Sequence, residues 1–171
     1  MSNQAQQFFY FLNCCLQNSW SSDKTMPDMK KTLNIIADFL FEVGTMRKLM
    51  RIHRQVLLTD DLSDSISSHS FRVAIIGWFL AKQAGSDPYK VVMMCLCHDM
   101  AEARSNDHNW LHRRYVTVHE NEINREQLGS LPFADLARLI GEYEKGETLE
   151  SVLAKDADGI EGAADPGQLP F

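Results

Sequence analysis

The stretch MMCLCHDMAEARSND, residues 93–107, begins as an apolar run and then sets an imidazole beside a carboxylate, at His98 and Asp99. Two more carboxylates follow at Glu102 and Asp107. The apolar spacing predicts that these groups close a core helix. Because the C-terminal end of a helix disfavours negative charge, the carboxylates are poorly placed there unless a cation compensates them. An ordinary helix end is the alternative that this stretch alone leaves open.

Two other segments carry groups of the same chemical types. His69 opens an earlier predicted helix, and Asp156 or Asp158 lies on a late helix within LAKDADGIEG. Neutral imidazoles and ionised carboxylates presented by several rigid helices are suitable ligands for a divalent transition metal, and they suit Mn2+, Co2+, Fe2+ or Zn2+ alike. The order of the three segments therefore predicts a metal site. A core histidine and a turn aspartate before Gly159 are the alternatives.

The elements that must position these groups are predicted to be helices, so the fold class is all-α. Apolar residues recur at helical spacing almost throughout, and no stretch alternates with period two. Asp87 and Pro88 are predicted as the N-cap and first residue of the helix that carries His98. Gly159 and Gly162 are expected to weaken the last helix and end it. Helices are predicted near residues 1–17, 28–49, 67–83, 88–103, 109–127, 132–144 and 147–160.

Length and composition fit one main domain in a soluble protein. The 171 residues are 44% hydrophobic, and we divide them into an N-terminal helical arm with linker, residues 1–29, and a body, residues 30–171. The 17 basic against 23 acidic residues give a net charge of -6, which argues against nucleic acid polymers and anionic membranes as partners. The four cysteines are not spaced as a disulfide framework, so reduced thiols and a cytoplasmic location are expected.

Taken together, the three segments resemble the HD-domain phosphohydrolases, in particular the branch that includes the HD-domain 5'-deoxynucleotidases. ISSHSFRVAIIGWFLA is similar to that branch's first metal-histidine helix, and VLAKDADGIE to its Lys-x-x-Asp segment. MCLCHDMAEARSND is similar to its His-Asp helix, with a Glu three residues later and an Asp five beyond that. The resemblance covers roughly residues 30–164 and implies an HD-domain helical bundle.

The resemblance also implies a role for each matching residue. One divalent metal would be held by His69, His98, Asp99 and Asp158, where Asp158 is preferred to Asp156 because the family ligand stands three residues after the lysine. Glu102 and Asp107 would assist the attack of water, and Arg54 would bind the phosphate of the substrate. Apart from the resemblance, Lys155 is a further candidate for binding the phosphate. The branch usually has Glu or Asp directly before the first ligand histidine. Ser68 stands there in this chain, so His69 is expected to lack a carboxylate partner.

The implied reaction is removal of the 5'-phosphate from (deoxy)nucleoside monophosphates by a metal-activated water. The expected partners are a nucleotide substrate and further copies of the chain, as a dimer or a higher homo-oligomer. A deoxynucleoside triphosphate triphosphohydrolase is a close alternative. His108 and His112, spaced i,i+4, leave open a dinuclear phosphodiesterase or oxygenase. A nucleotide-sensing module without catalysis is the remaining alternative.

Overall fold

The computed structural model of the protein describes residues 26–52 and 64–163, together with positions 7, 10, 11 and 14. Most of the predicted N-terminal arm lies outside the described residues, as does the predicted phosphate-binding residue Arg54. In the described part, every regular element is helical apart from one isolated antiparallel bridge between Met50 and Ser65. The all-α prediction is confirmed.

Seven α-helices follow one another along the described part of the chain. We number them α1 (Met26–Val43), α2 (Ile66–Ala84), α3 (Pro88–Cys97), α4 (Glu102–Ser105), α5 (Glu120–Leu128), α6 (Asp135–Lys145) and α7 (Leu149–Ala163). Two 3-10 helices, Gly44–Lys48 and His112–Arg114, precede α2 and α5 respectively.

The ends of α2 and α3 follow from local side chains. Ser65 caps α2 by accepting a hydrogen bond from the backbone N–H of Ser68, and Gly85 ends the helix in the left-handed region at φ 70°. Asp87 accepts hydrogen bonds from the first-turn amides of α3, whose first residue is Pro88. The sequence-based assignment of this N-terminus is confirmed.

A close packing of α2, α3 and α7 forms the first core cluster. Its buried residues are Val73, Ala74, Ala81, Val91, Met94, Cys95, Ala154 and Ala157. Gly77 on α2 allows the helices to approach, because a Cβ atom there would lie 2.7 Å from Cys95 Sγ and 3.0 Å from Val91 Cγ1. Helix α7 is thereby held against the two helices that carry the histidines.

The second core cluster lies at the other end of α2. Its buried residues are Met46, Ile66, Cys97, Met100, Leu128 and Ile140. His69 lies one turn after Ile66 and one turn before Val73, so it stands between the two clusters, and His98 follows Cys97 directly. Apolar packing on both sides therefore fixes the backbone positions from which these two rings project.

Three predicted helix boundaries are wrong. Helix α3 ends at Cys97, because bonds such as Met100 N–H to the Cys97 carbonyl tighten residues 98–101 into turns before α4. Much of the segment predicted as a helix over 109–127 is irregular, and α5 begins only at Glu120. Helix α7 runs through both glycines to Ala163, because buried residues on its inner face offset their poor helix propensity.

Cys95 and Cys97 are buried free thiols, as their place in a helical apolar run predicted. Burial raises the pKa of Cys95 to about 12, with the charge of Asp158 adding to the effect, and burial raises that of Cys97 to about 11. Neither thiol is therefore ready to act as a thiolate ligand.

Within the described residues, no helix is long and apolar enough to cross a lipid bilayer.

Candidate metal centre

The structure brings together the four residues that the resemblance implied as metal ligands. His69 Nε2 lies 3.3 Å from His98 Nε2, 3.4 Å from Asp99 Oδ2 and 3.1 Å from Asp158 Oδ1. His98 Nε2 lies 3.2 Å from Asp99 Oδ2 and 3.7 Å from Asp158 Oδ1. The alternative ligand Asp156 is exposed, whereas Asp158, two residues later and on a different face of α7, lies against the two rings.

The other nitrogen of each ring is already bonded. His98 Nδ1 lies 2.8 Å from the carbonyl oxygen of Cys95, and His69 Nδ1 lies 2.6 Å from Glu161 Oε2. Because each Nδ1–H donates to an oxygen, each neutral ring directs the lone pair of Nε2 into the space between the four side chains. Both rings are thus oriented for ligation.

This donor set fits a divalent metal. Nitrogen and oxygen ligands at about 2.1 Å from one ion lie roughly 3–3.5 Å from one another. The five separations given above, each of which involves a histidine, are close to this range. Burial lowers the pKa of His98, but the charges of Asp99 and Asp158 outweigh burial and raise the pKa to about 10. The carboxylates therefore create a strong demand for a positive charge at this point, which a metal ion would meet.

Glu161 is a residue that sequence reasoning missed. Its carboxylate accepts hydrogen bonds from His69, from Arg51 Nη1 at 3.2 Å and from Arg72 Nε at 2.6 Å. The expectation that His69 lacks a carboxylate partner is therefore wrong, since the partner comes from α7 and not from position 68. Its spacing of three residues after Asp158, which places both on one helical face, was the signal available in the sequence.

Glu102 and Asp107 lie on the same side of the cluster as Asp99, and we call these three carboxylates the acidic side of the site. Burial raises the pKa of Glu102 to about 9, and the charges of Asp99 and Asp107 act in the same direction. Asp107 is buried, and its Oδ2 accepts a hydrogen bond from the backbone N–H of Ile52 at 3.0 Å. Glu102 therefore holds its proton well above the pH at which an ordinary glutamate loses it.

Glu120, at the start of α5, is a second carboxyl group that the sequence did not single out. Partial desolvation of its otherwise exposed side chain raises its pKa, and the charges of Glu144 and Asp99 add to the effect. No local pattern points to Glu120. The charge of Asp99 acts on Glu120 although 21 positions separate the two residues, and only the folded structure reveals this.

Lys155, predicted to bind phosphate, is held by α6. Its Nζ donates to the carbonyl oxygen of Glu144 at 3.0 Å and lies 5.3 Å from the ring centroid of Tyr143. That ring in turn lies 5.5 Å from the ring of His98. The ring of Tyr143 thus contacts both Lys155 and the predicted metal ligand His98. The predicted binding of phosphate by Lys155 stays a prediction.

His108 and His112 approach each other with ring centroids 5.8 Å apart. They do not share a regular α-helix, because His108 lies in an irregular segment and His112 begins a short 3-10 helix. Among the described residues, Nδ1 of His108 is buried without a hydrogen-bond partner. The two rings approach each other, although the helical face that their i,i+4 spacing implied is not formed.

Comparison with known proteins gives a family match and several structural neighbours. The sequence profile described as HD domain matches residues 46–164. A predicted metal-dependent phosphohydrolase from Magnetospirillum magnetotacticum is similar at 26% identity and a TM-score of 0.58, over 74% of this chain and 68% of that one. A conserved hypothetical protein from Pyrococcus furiosus is similar at 25% identity and a TM-score of 0.62, over 72% of this chain and 78% of that one.

Curated relatives are similar over a shorter share of their length. Ribonuclease Y of Borrelia garinii is 28% identical over 137 residues, covering 72% of this chain but only 24% of the ribonuclease. Ribonuclease Y of Borreliella burgdorferi matches to the same extent. The chain thus spans about a quarter of the length of these relatives.

The fold and the convergence of His69, His98, Asp99 and Asp158 define a helical domain built around a candidate metal site. With the profile match over most of its length, the chain belongs to the HD domain family.

Proposed function

We propose that this protein removes the 5'-phosphate from (deoxy)nucleoside monophosphates. The proposal depends on one observation: the Nε2 atoms of two histidines lie 3.1–3.7 Å from carboxylate oxygens of two aspartates. Glu102, whose pKa is raised, lies on the same side of this cluster as Asp99. The resemblance of the three segments to the 5'-deoxynucleotidase branch supports the choice of substrate. One divalent metal of the Mn2+, Co2+, Fe2+ or Zn2+ type is the proposed cofactor, held by the four ligand residues.

A divalent metal bound there would supply Lewis acidity, which activates water and polarises the phosphoryl group. The protonated carboxyl of Glu102 is suited to donate a proton to the leaving sugar oxygen. Asp107, whose charge acts on Glu102, is proposed to accept a proton from the attacking water. Arg54 is proposed to bind the phosphate oxygens through its planar guanidinium group.

The charge of the chain favours a small substrate over a polymer. A net charge of -6 opposes the approach of a long polyanion, whereas a nucleotide carries few charges, which one metal and one arginine can neutralise. The ribonuclease Y relatives share only a quarter of their length with this chain, so RNA cleavage does not follow from the similarity. Reduced buried thiols favour a cytoplasmic location.

The experiment is a substrate panel with the purified chain in Mn2+ or Co2+. Deoxynucleoside and ribonucleoside 5'-monophosphates, deoxynucleoside triphosphates and a short RNA are supplied separately, and phosphate, tripolyphosphate and shortened RNA are measured. Phosphate release from the monophosphates alone, lost in His98→Ala, is the expected result. Tripolyphosphate release would establish the triphosphohydrolase alternative instead, and nucleotide binding without turnover would establish the sensing module.

A dinuclear phosphodiesterase is the second candidate, favoured by the approach of His108 and His112 and by the buried, unbonded Nδ1 of His108 within the described residues. It requires two metal ions per chain. A stoichiometry of one that is unchanged in His108→Ala and His112→Ala would rule it out.

We also propose that copies of the chain associate. Four large apolar side chains form an exposed row at helical spacing along α2: Phe71, Ile75, Trp78 and Phe79. Light scattering should give a dimer or larger assembly, and the double variant Phe71→Ser, Phe79→Ser should lower the mass. Phe133→Ser, which removes an equally exposed aromatic from a loop, is the control. A monomeric wild-type chain would contradict the proposal.

A further inference from the structure

Glu161 has three polar neighbours, two on α2 and one in the segment that precedes it. Its Oε2 lies 2.6 Å from His69 Nδ1 and 3.2 Å from Arg51 Nη1, and Arg72 Nε lies 2.6 Å from its Oε1. Glu161 and Arg51 are buried, at 5% and 7% exposure. A buried carboxylate that accepts several charge-assisted hydrogen bonds is held firmly in one orientation. Glu161 is therefore a fixed support for the ring of His69.

Arg51 connects this support to the acidic side of the site. Its own backbone N–H donates to the carbonyl of Asp64 at 3.0 Å, and the N–H of Ile66 donates to Leu49 at 2.9 Å, which secures residues 49–52 against the start of α2. From this anchored segment, the side chain of Arg51 reaches Glu161, and the next backbone N–H, that of Ile52, reaches Asp107. One short segment thus holds a carboxylate on each side of the candidate metal centre.

We propose that Glu161 is a positioning residue for the metal centre. Its carboxylate accepts a hydrogen bond from the Nδ1–H of His69. This bond fixes the orientation of the ring and leaves Nε2 available to bind the metal. Through Arg51 it also keeps residues 49–52, and with them Asp107, in place relative to the ligands. Because a carboxylate hydrogen-bonded to a ligand histidine raises the ligand's basicity, loss of this carboxylate weakens metal binding by about 10–100-fold. The inference rests on the proposed metal binding.

The main test compares Glu161→Gln with Glu150→Gln. Both replace a carboxylate of α7 that accepts a hydrogen bond, but Glu150 accepts its bond from Ser86 Oγ, at the other end of the helix. Affinity for Co2+ is measured by competition with a chelator, and the visible spectrum of the bound Co2+ reports the ligand geometry. We expect Glu161→Gln to weaken binding by about 10–100-fold and to change the spectrum, and Glu150→Gln to match the wild type.

Glu161→Asp covers the case in which Glu161→Gln does not fold. The shorter side chain keeps a negative charge near Arg51 and Arg72 but withdraws the oxygen from His69, so the variant should melt near the wild-type temperature and still bind Co2+ more weakly. Wild-type affinity and spectrum in a folded Glu161 variant, or equal weakening in Glu150→Gln, would overturn the inference. If the wild-type chain itself binds no divalent metal, the proposed function fails, a result distinct from metal binding that is insensitive to Glu161.

Discussion

The two sides of the candidate metal centre are built in opposite ways. On the side of His69, Glu161 faces Arg51 and Arg72, so that the buried carboxylate meets matching donors. On the side of Asp99, Glu102 meets the charges of other carboxylates, and its pKa is raised to about 9. The first side is electrostatically satisfied before any cation binds, whereas the second becomes favourable only when one does. The first is suited to positioning and the second to proton transfer.

The largest expected effect comes from removing one ligand that joins the two sides. Asp158→Asn should lower metal affinity and turnover by more than about 1,000-fold, because the carboxylate faces both histidines from α7. Asp156→Asn is the matched control, since this aspartate is exposed on the same helix and should leave both quantities unchanged. Chelator competition and initial rates are the measurements. Equal losses in the two variants would show that the centre is assembled differently.

A change confined to the acidic side should separate activity from stability. Glu102→Gln should lower kcat by about 100–1,000-fold, because an amide cannot transfer the proton. Metal affinity should change much less than in Asp158→Asn, since Glu102 is not one of the proposed ligands. A kcat within a few fold of the wild type would remove Glu102 from the proposed mechanism.

The same variant should stabilise the metal-free protein, increasingly so at higher pH. The folded carboxyl of Glu102 keeps its proton to about pH 9, whereas in the unfolded chain it loses it near 4.5. Between these values the folded state binds more protons, so this group lowers the free energy of unfolding as pH rises. With chelator present, the melting temperature of Glu102→Gln should exceed that of the wild type by about 3–6 °C at pH 8. The difference should be small at pH 4.5, and a difference that shrinks as pH rises would contradict the assignment.

The packing beneath the two sides can be tested with two helical glycines. Gly77→Ala should destabilise the protein by about 1–3 kcal/mol, because the new Cβ would press on Cys95 Sγ and on Val91 between α2 and α3. Gly141→Ala on α6 has nothing within 4 Å of the new atom and should stabilise by about 0.5–1 kcal/mol. Thermal melts with chelator present distinguish the signs. Equal effects would mean that the approach of α2 to α3 does not depend on Gly77.

The sequence predicted those features of the fold and the site that depend on the type and order of its residues. Helical periodicity predicted the bounds of α2 closely, and Asp87 as N-cap predicted the first residue of α3. Both signals come from residues that are near one another in the sequence. The His98-Asp99 pair, His69 and Asp158 stood out by type and order, and the structure brings them together.

The features that the sequence did not predict depend on distant contacts. Glu161 hydrogen-bonds to a histidine 92 positions earlier, and the charge of Asp99 acts on Glu120 although 21 positions separate the two residues. The end of α3 at Cys97 was missed for another reason. The apolar spacing continues through Met100 and Ala101, and these residues are buried whether the backbone is helical or turns tightly.

The smallest expected effect concerns the thiols beside the centre, and it separates the metal ligands from the core. Burial raises the pKa of Cys95 and Cys97 to about 12 and about 11, so at pH 8 almost no thiolate forms in the folded chain. A thiol reagent should therefore label the exposed Cys14 and leave Cys95 and Cys97 unmodified until the chain is unfolded. Protection should be the same with and without Co2+, because the proposed ligand set contains nitrogen and oxygen alone. If Cys95 or Cys97 were protected only when Co2+ is added, a thiol would belong to the metal centre. The proposed ligand set of nitrogen and oxygen atoms would then be wrong.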